Sequence, residues 1–132
     1  MRLCFYGTIA QFGIFQSHLE NLPQFSRRFS LFELYPDYDA LVDGLRENRF
    51  DLVLVTHDNA CGMEGVIAIR NCLPNVPVIW FSNDEDFGSQ AYRLRTDFFH
   101  TKPITPTILE MAQKPAQYRQ NRLHAHDKHH DH

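Results

Sequence analysis

Three polar side chains stand just past three short apolar runs. Asp58 follows Leu52-Val53-Leu54-Val55, with Thr56 and His57 between. Ser82 follows the run from Val76 to Phe81, which only Pro77 interrupts, and Lys102 follows Phe98 to Thr101. Runs without polar alternation are strands buried on both faces, as a parallel sheet with helices on both sides requires. In such sheets sites form at the carboxyl ends of the strands. A hydroxyl and an ammonium, those of Ser82 and Lys102, are therefore expected at one end of the sheet. Each also has a local reading. Asp58 is expected to cap backbone amides in its own loop, because reaching the site would need a bulge. Ser82 can cap the helix that follows it. The Lys102 charge can hold the Thr56–Asp58 loop electrostatically.

Other chemistry finds no residues to carry it. There is no glycine-rich phosphate loop, nucleophile elbow or His–Cys pair at catalytic spacing, so the chain is not expected to be an enzyme. Cys4, Cys61 and Cys72 are odd in number and lack metal spacing. They are expected to be reduced thiols, with Cys4 packing as a small hydrophobe. Histidines 124, 126, 129, 130 and 132 could bind zinc or nickel loosely, but no fixed geometry supports a metal site, and no cofactor is expected.

The elements that must position these residues alternate. Arg2–Tyr6 reads as a strand. Phe12, Phe15, Leu19 and Leu22 recur on one helical face that ends near Pro23. Phe29–Leu34 reads as a second strand, placed at an edge. Asp37 then caps a helix carrying Tyr38, Leu41, Val42 and Leu45. After Leu52–Val55, a helix begins near Met63 and uses Val66, Ile67 and Ile69. After Val78–Phe81, a weaker helix spans Asp84–Leu94, with Phe87, Ala91 and Leu94 on one face. Phe98–Thr101 is the fifth strand. Thr105 caps a last helix with Pro106 at its first position, which Pro115 should kink or end. The expectation is a doubly wound α/β domain over residues 1–114, with residues 115–132 a flexible His-rich tail.

Several segments resemble the receiver domains of bacterial response regulators. Phe50-Asp51-Leu-Val-Leu-Val resembles their third strand, Gly62-Met63-Glu64-Gly65 their GMDG turn, Val76-Pro-Val-Ile-Trp-Phe-Ser82 their fourth strand, and Lys102-Pro103 their lysine–proline pair. The resemblance covers roughly Met1 to Ala112. It implies a flavodoxin-like three-layer sandwich with a five-stranded parallel sheet in the order 2-1-3-4-5. It also implies a cis bond before Pro103, a phosphoryl-binding role for Ser82 and Lys102, and a switch-aromatic role for Phe99, beside a plain packing role.

The same resemblance exposes departures. The family's acidic pair for Mg²⁺ falls on Gly7 and Thr8, neither a carboxylate, and Mg²⁺ demands hard oxygen ligands. The phosphoacceptor position falls on Thr56 counting forward from Asp51, and on His57 counting back from Gly62. The loop carries one extra residue, and neither count lands on Asp58.

These readings lead to a degenerate receiver, a phosphorylation-independent module for protein–protein signalling. Asn83-Asp84-Glu85-Asp86-Phe87 most resembles receivers that precede LytTR-type DNA-binding domains, so DNA would be reached only through an output domain outside these residues. Two alternatives are a phosphate-driven switch with Asp58 as an atypical acceptor, and a flavodoxin-like enzyme or small-molecule binder. The net charge of −3 and the lack of a basic stripe argue against nucleic-acid binding. No apolar run approaches the roughly 20 residues that cross a membrane, and a cytoplasmic setting is expected. A protein partner or a second copy is expected on the face formed by the fourth helix, fifth strand and fifth helix. There Tyr92, Arg93, Arg95, Asp97 and Glu110 mix charges in a way suited to self-complementary contact.

Overall fold

The computed structural model describes the backbone of residues 1–130, and the side chains of these except Gln120 and residues 124–130. The side chains of the tail histidines, and with them the loose metal-binding reading, lie outside the described residues. The chain alternates β1 (Arg2–Tyr6), α1 (Ile9–Leu19), α2 (Pro23–Arg27), β2 (Leu31–Tyr35), α3 (Tyr38–Glu47), β3 (Leu52–Val55), α4 (Asn59–Cys72), β4 (Val78–Ser82), a 3₁₀ turn (Glu85–Phe87), α5 (Gly88–Arg93), β5 (Phe98–Thr101) and α6 (Pro106–His130). The five strands form one sheet in the order β2-β1-β3-β4-β5, and every pairing is parallel. The expected topology is therefore the one observed.

Alternation within each strand divides the core in two. Leu3, Phe5, Leu52, Leu54, Ile79 and Phe81 meet Phe15 of α1 and Leu109 of α6 on one face of the sheet. Cys4, Tyr6, Val53, Val55, Val78 and Trp80 meet Leu41 of α3 and Ile69 of α4 on the other. Fully burying a large apolar side chain such as Phe15 or Ile69 stabilises by about 1.5–3 kcal/mol, so both helical layers are held by their own cluster.

Register aligns the strand ends. Tyr6 lies opposite both Tyr35 and Val55, Val55 opposite Trp80, and Ser82 opposite Thr101. The ladder continues one residue further, through Gly7 N–H to Tyr35 O, Thr56 N–H to Tyr6 O and Lys102 N–H to Ser82 O. Gly7 and Thr56 are thus brought level, and Lys102 lies two residues further along at the same end of the sheet.

Several helix limits differ from expectation, each for a local reason. Thr8 caps α1 through a capping box with Gln11, so the helix begins before Phe12. Pro23 opens a separate short helix instead of only closing the first one, because its fixed φ and missing N–H suit a first helical position. Helix α4 begins at Asn59, well before Met63, and Ile67 is exposed at 40% rather than part of its buried face. The segment from Asp84 to Leu94 splits into the 3₁₀ turn and α5. Pro115 does not end α6, and Ala116 beyond it is buried in the core. Thr105 caps α6, its hydroxyl accepting Ile108 N–H at 3.2 Å. Among the described residues no helix is long and apolar enough to cross a membrane.

The amino-terminal end of β4 and β5 is tied by Arg70 of α4, whose side chain is 6% exposed. It donates to Val76 O at 2.6 Å, Leu94 O at 2.7 Å and Arg95 O at 2.8 Å. Asp97 lies 3.9 Å away and accepts Val78 N–H at 2.7 Å. Burial lowers the Arg70 pKa to about 10, the Arg119 and Arg95 charges push the same way, and Asp97 opposes them. The guanidinium stays cationic at neutral pH. Arg70→Met would strand three carbonyls and a buried carboxylate, and breaking a buried pair costs roughly 3–5 kcal/mol. A urea-unfolding comparison should show a loss of that size with an unchanged m-value.

Candidate site at the carboxyl ends of the strands

Lys102 crosses the end of the sheet from β5 to the loop after β3. Its ammonium donates to Thr56 O and to Asp58 Oδ1, each at 2.5 Å. The Asp58 side chain is 39% exposed and that of Lys102 21%. Asp58 stands at the N-cap of α4 but makes no side-chain cap bond. The expected local amide cap is therefore replaced by an ion pair. The chain needs no bulge for this, because Asn59 takes a left-handed conformation (φ 57°) that turns the backbone directly into α4. The Lys102–Pro103 peptide is cis.

Next to this pair the sheet end is filled by neutral groups. Thr56 is fully buried, and its hydroxyl lies 3.0 Å from Gln11 Oε1, to which it donates. The same Gln11 oxygen accepts Thr8 N–H at 2.9 Å, and Thr8 Oγ1 accepts Gln11 N–H at 3.1 Å. A Cβ placed on Gly7 would lie 2.1 Å from Thr56 Oγ1 and 2.8 Å from Gln11 Oε1. Residues 7 and 8, where a carboxylate pair would hold Mg²⁺, thus supply a glycine with no room for a side chain and a threonine spent on capping.

His57 points elsewhere. Its ring packs edge-on against Tyr6, with centroids 4.4 Å apart, and its Nε2 lies 2.7 Å from Pro36 O. It pins the loop after β3 to the loop before α3. Ser82 is buried, and its hydroxyl accepts Asp84 N–H at 3.1 Å. It is not the expected helix cap: Asp84 takes that role, accepting Asp86 N–H at 2.9 Å. Phe99 is half-buried and stands edge-on to Trp80, with centroids 5.2 Å apart.

Two features of the site went unread in the sequence. Gln11 is announced by Thr8-x-x-Gln11, the signature of a capping box, but nothing local says that its side chain also reaches Thr56. Asn59 and Asn83 join the loops after β3 and β4, with Asn59 N–H donating to Asn83 Oδ1 at 3.1 Å and Asn83 Nδ2 to Asn59 Oδ1 at 3.2 Å. Among the described residues no group of three or more His, Cys, Asp or Glu side chains is placed to hold a metal ion. The donor set does not fit Mg²⁺: its one carboxylate, Asp58, already pairs with Lys102.

The crowding at residue 7 can be tested. Gly7→Ala should cost about 1–3 kcal/mol through overpacking. Thr56→Ala removes the atom in the way, so the double variant should recover part of that loss in a denaturation cycle. Additive costs would show that the two positions do not share the space.

No protein-family model matches the chain, and no curated protein matches it. Solved structures do. A CheY-like receiver domain protein from Methanospirillum hungatei superposes with a TM-score of 0.71 at 15% identity, over 92% of this chain and 97% of that one. A protein from Rhodopirellula baltica described as an adenylate cyclase gives 0.75 at 14% identity, over 96% and 94%. The signal receiver domain of a response regulator from Bacteroides fragilis gives 0.68 at 20% identity, over 88% and 97%. The chain therefore has the fold of the CheY-like receiver domains of two-component response regulators.

Proposed function

We propose that the chain is a pseudo-receiver, a non-catalytic signalling module that binds protein partners without being switched by phosphorylation. The observation that carries this reading is the packing of Gly7, Thr56 and Gln11, which fills with neutral groups the place where a metal and a phosphoryl group would sit. Phosphoryl transfer is catalysed by positioning and by neutralising charge with Mg²⁺. Here the hydroxyl of Thr56 is buried and engaged, and His57 is turned toward Pro36. Lys102 keeps a structural task, closing the end of the sheet through Asp58. The segment Asn83–Phe87 supports kinship with receivers of LytTR-type regulators, in which DNA is reached through an output domain.

One observation favours a second reading. Asp58 is partly exposed and lies beside a lysine ammonium, as an acceptor aspartate would. Beryllofluoride or acetyl phosphate with Mg²⁺ decides between them. The amide NMR spectrum around Thr56, Ser82 and Lys102 should stay unchanged. Saturable shifts there that vanish in Asp58→Asn would establish the phosphate-driven switch.

The partner surface we propose is the face of α5, β5 and α6. Tyr92 is 87% exposed there, and Arg93, Arg95 and Glu110 are exposed beside it. Asp97 is not part of it, contrary to expectation: its side chain is 7% exposed and contacts Arg70 and Arg119. Exposed Glu85 and Asp86, at the other end of the α5 segment, supply the acids instead. Two copies meeting antiparallel would set each acidic turn against the partner's arginines, as an isologous contact requires. Sedimentation over a range of concentrations should show a reversible dimer that Arg95→Glu weakens. A parent that stays monomeric, or a dimer indifferent to the substitution, removes this face.

A further inference from the structure

A groove of about 490 Å³ opens between the second half of α6 and the turns that precede β4 and β5. Its α6 wall is formed by Pro115, Tyr118, Arg119, Arg122 and Leu123. Asn75 and Asp97 face them. Asp97 bonds to Val78, the first residue of β4, so the groove lies at the end of the sheet opposite Thr56, Ser82 and Lys102. None of the residues assigned to the strand-end site line it.

Charge there is unbalanced. Asp97 accepts Val78 N–H at 2.7 Å and stands 3.9 Å from Arg70 Nη2, beyond hydrogen-bond reach. Arg119 reaches the same carboxylate only through Nη1, at 3.3 and 3.4 Å, and Arg95 O at 3.4 Å. Charge-assisted N–H···O bonds are ordinarily about 2.7–2.9 Å, so this contact is loose, and among the described residues Arg119 makes no hydrogen bond through the rest of its fork. Arg122 lies over the Tyr118 ring, 5.9 Å from its centroid. Arg70 and Arg119 thus flank the one carboxylate of Asp97, and Arg122 lines the same groove. The crowding is felt inside the cluster, since Arg119 and Arg95 both depress the pKa of the buried Arg70.

We propose that this groove binds a small organic anion, with a carboxylate or phosphate head between the Arg119 and Arg122 guanidinium groups and an apolar or ring body against Tyr118, Leu123 and Pro115. A planar arginine fork suits such a head because it donates two parallel N–H bonds to two oxygens. A volume of this size, with an apolar wall and a few convergent polar groups, is that of a small-molecule site, which spans roughly 300–1,000 Å³. The bound head would complete the coordination that Asp97 supplies only in part. It would also join α6 to the turns before β4 and β5, on the side of the domain where the proposed partner face lies. Binding stands or falls independently of how the strand-end site behaves.

The probe is phenyl phosphate, titrated into the ¹⁵N-labelled chain, with inorganic phosphate as the head alone and phenol as the body alone. Phenyl phosphate should give saturable shifts at Asn75, Asp97 and the α6 amides from Met111 to Leu123. Inorganic phosphate should shift the same amides more weakly, and phenol should not saturate. Arg122→Gln, an exposed position whose loss leaves Asp97 and Arg70 paired, should weaken phenyl phosphate about tenfold with an unchanged unfolding midpoint. Arg122→Lys should fall between, because it keeps charge but not the fork. Shifts scattered over all exposed arginines, or indifferent to Arg122→Gln, overturn the proposal. So does a glutamate-rich peptide that takes the groove more tightly than phenyl phosphate, which would make it a protein-docking surface.

Discussion

A Cβ on residue 7 would lie 2.1 Å from the Thr56 hydroxyl oxygen. That contact constrains everything at the carboxyl end of the sheet. Parallel register sets Gly7 and Thr56 side by side, because Tyr6 pairs with Val55 and Thr56 N–H bonds to Tyr6 O. Backbone spacing between paired strands is fixed near 4.8 Å, so relief must come from side chains. The Gly7 hydrogen leaves room for the Thr56 hydroxyl, and the Thr56 hydroxyl finds the Gln11 carbonyl. Gln11 can reach it only because Thr8 starts α1 there and holds Gln11 by a capping box. A glycine just past β1, a threonine just past β3 and a glutamine of α1 thus form one neutral plug. An acid at either strand end would have to be accommodated against it.

The ammonium of Lys102 needs acceptors. A buried or half-buried ammonium without partners is costly. It takes Thr56 O and Asp58, and so ties the β5 end to the β3 end. The extra residue in the loop after β3 matters for this reason. It moves the carboxylate beyond the strand end, to a position from which it meets Lys102 near the surface. His57, the residue it passes, turns outward to Pro36 and covers Tyr6. The loops at this end are then closed by contacts between side chains and backbone, with Asn59 and Asn83 adding a second bridge. These contacts are what supports the proposal that the domain is not switched by phosphorylation.

The fold was legible because its signals are local and repeated. Unbroken apolar runs gave β3 and β4, and the turn residues between them gave the alternation with helices. What escaped was side-chain reach. Asp58 looked like a local cap because sequence shows its neighbours and not Lys102, which lies far along the chain. Asp97 looked like a surface charge because it sits among Arg93 and Arg95, yet it turns inward to Arg70 and Val78. Pro115 looked like a terminator because proline costs a helix hydrogen bond. Packing won there, since Ala112 and Ala116 both lie in the core on either side of it. Thr8-x-x-Gln11 is a readable pattern, but it discloses the cap of Gln11 and not its second bond to Thr56.

The two ends of the sheet divide polarity between them. At the carboxyl end, Lys102 pairs with Asp58, and Thr56, Gln11, Asn59 and Asn83 are joined by hydrogen bonds. At the amino end, Arg70 is held by three carbonyls and one shared carboxylate, with Arg119 and Arg122 close by. Carbonyls suit a buried cation because they solvate it without neutralising it, so its charge still acts on its surroundings. An anion approaching the domain thus meets the acidic turn of Glu85 and Asp86 at one end and Arg119 and Arg122 at the other. In a receiver fold the first end is where an anion is expected. The proposed anion groove lies at the second, where α6 extends past Pro115 to supply Arg119 and Arg122.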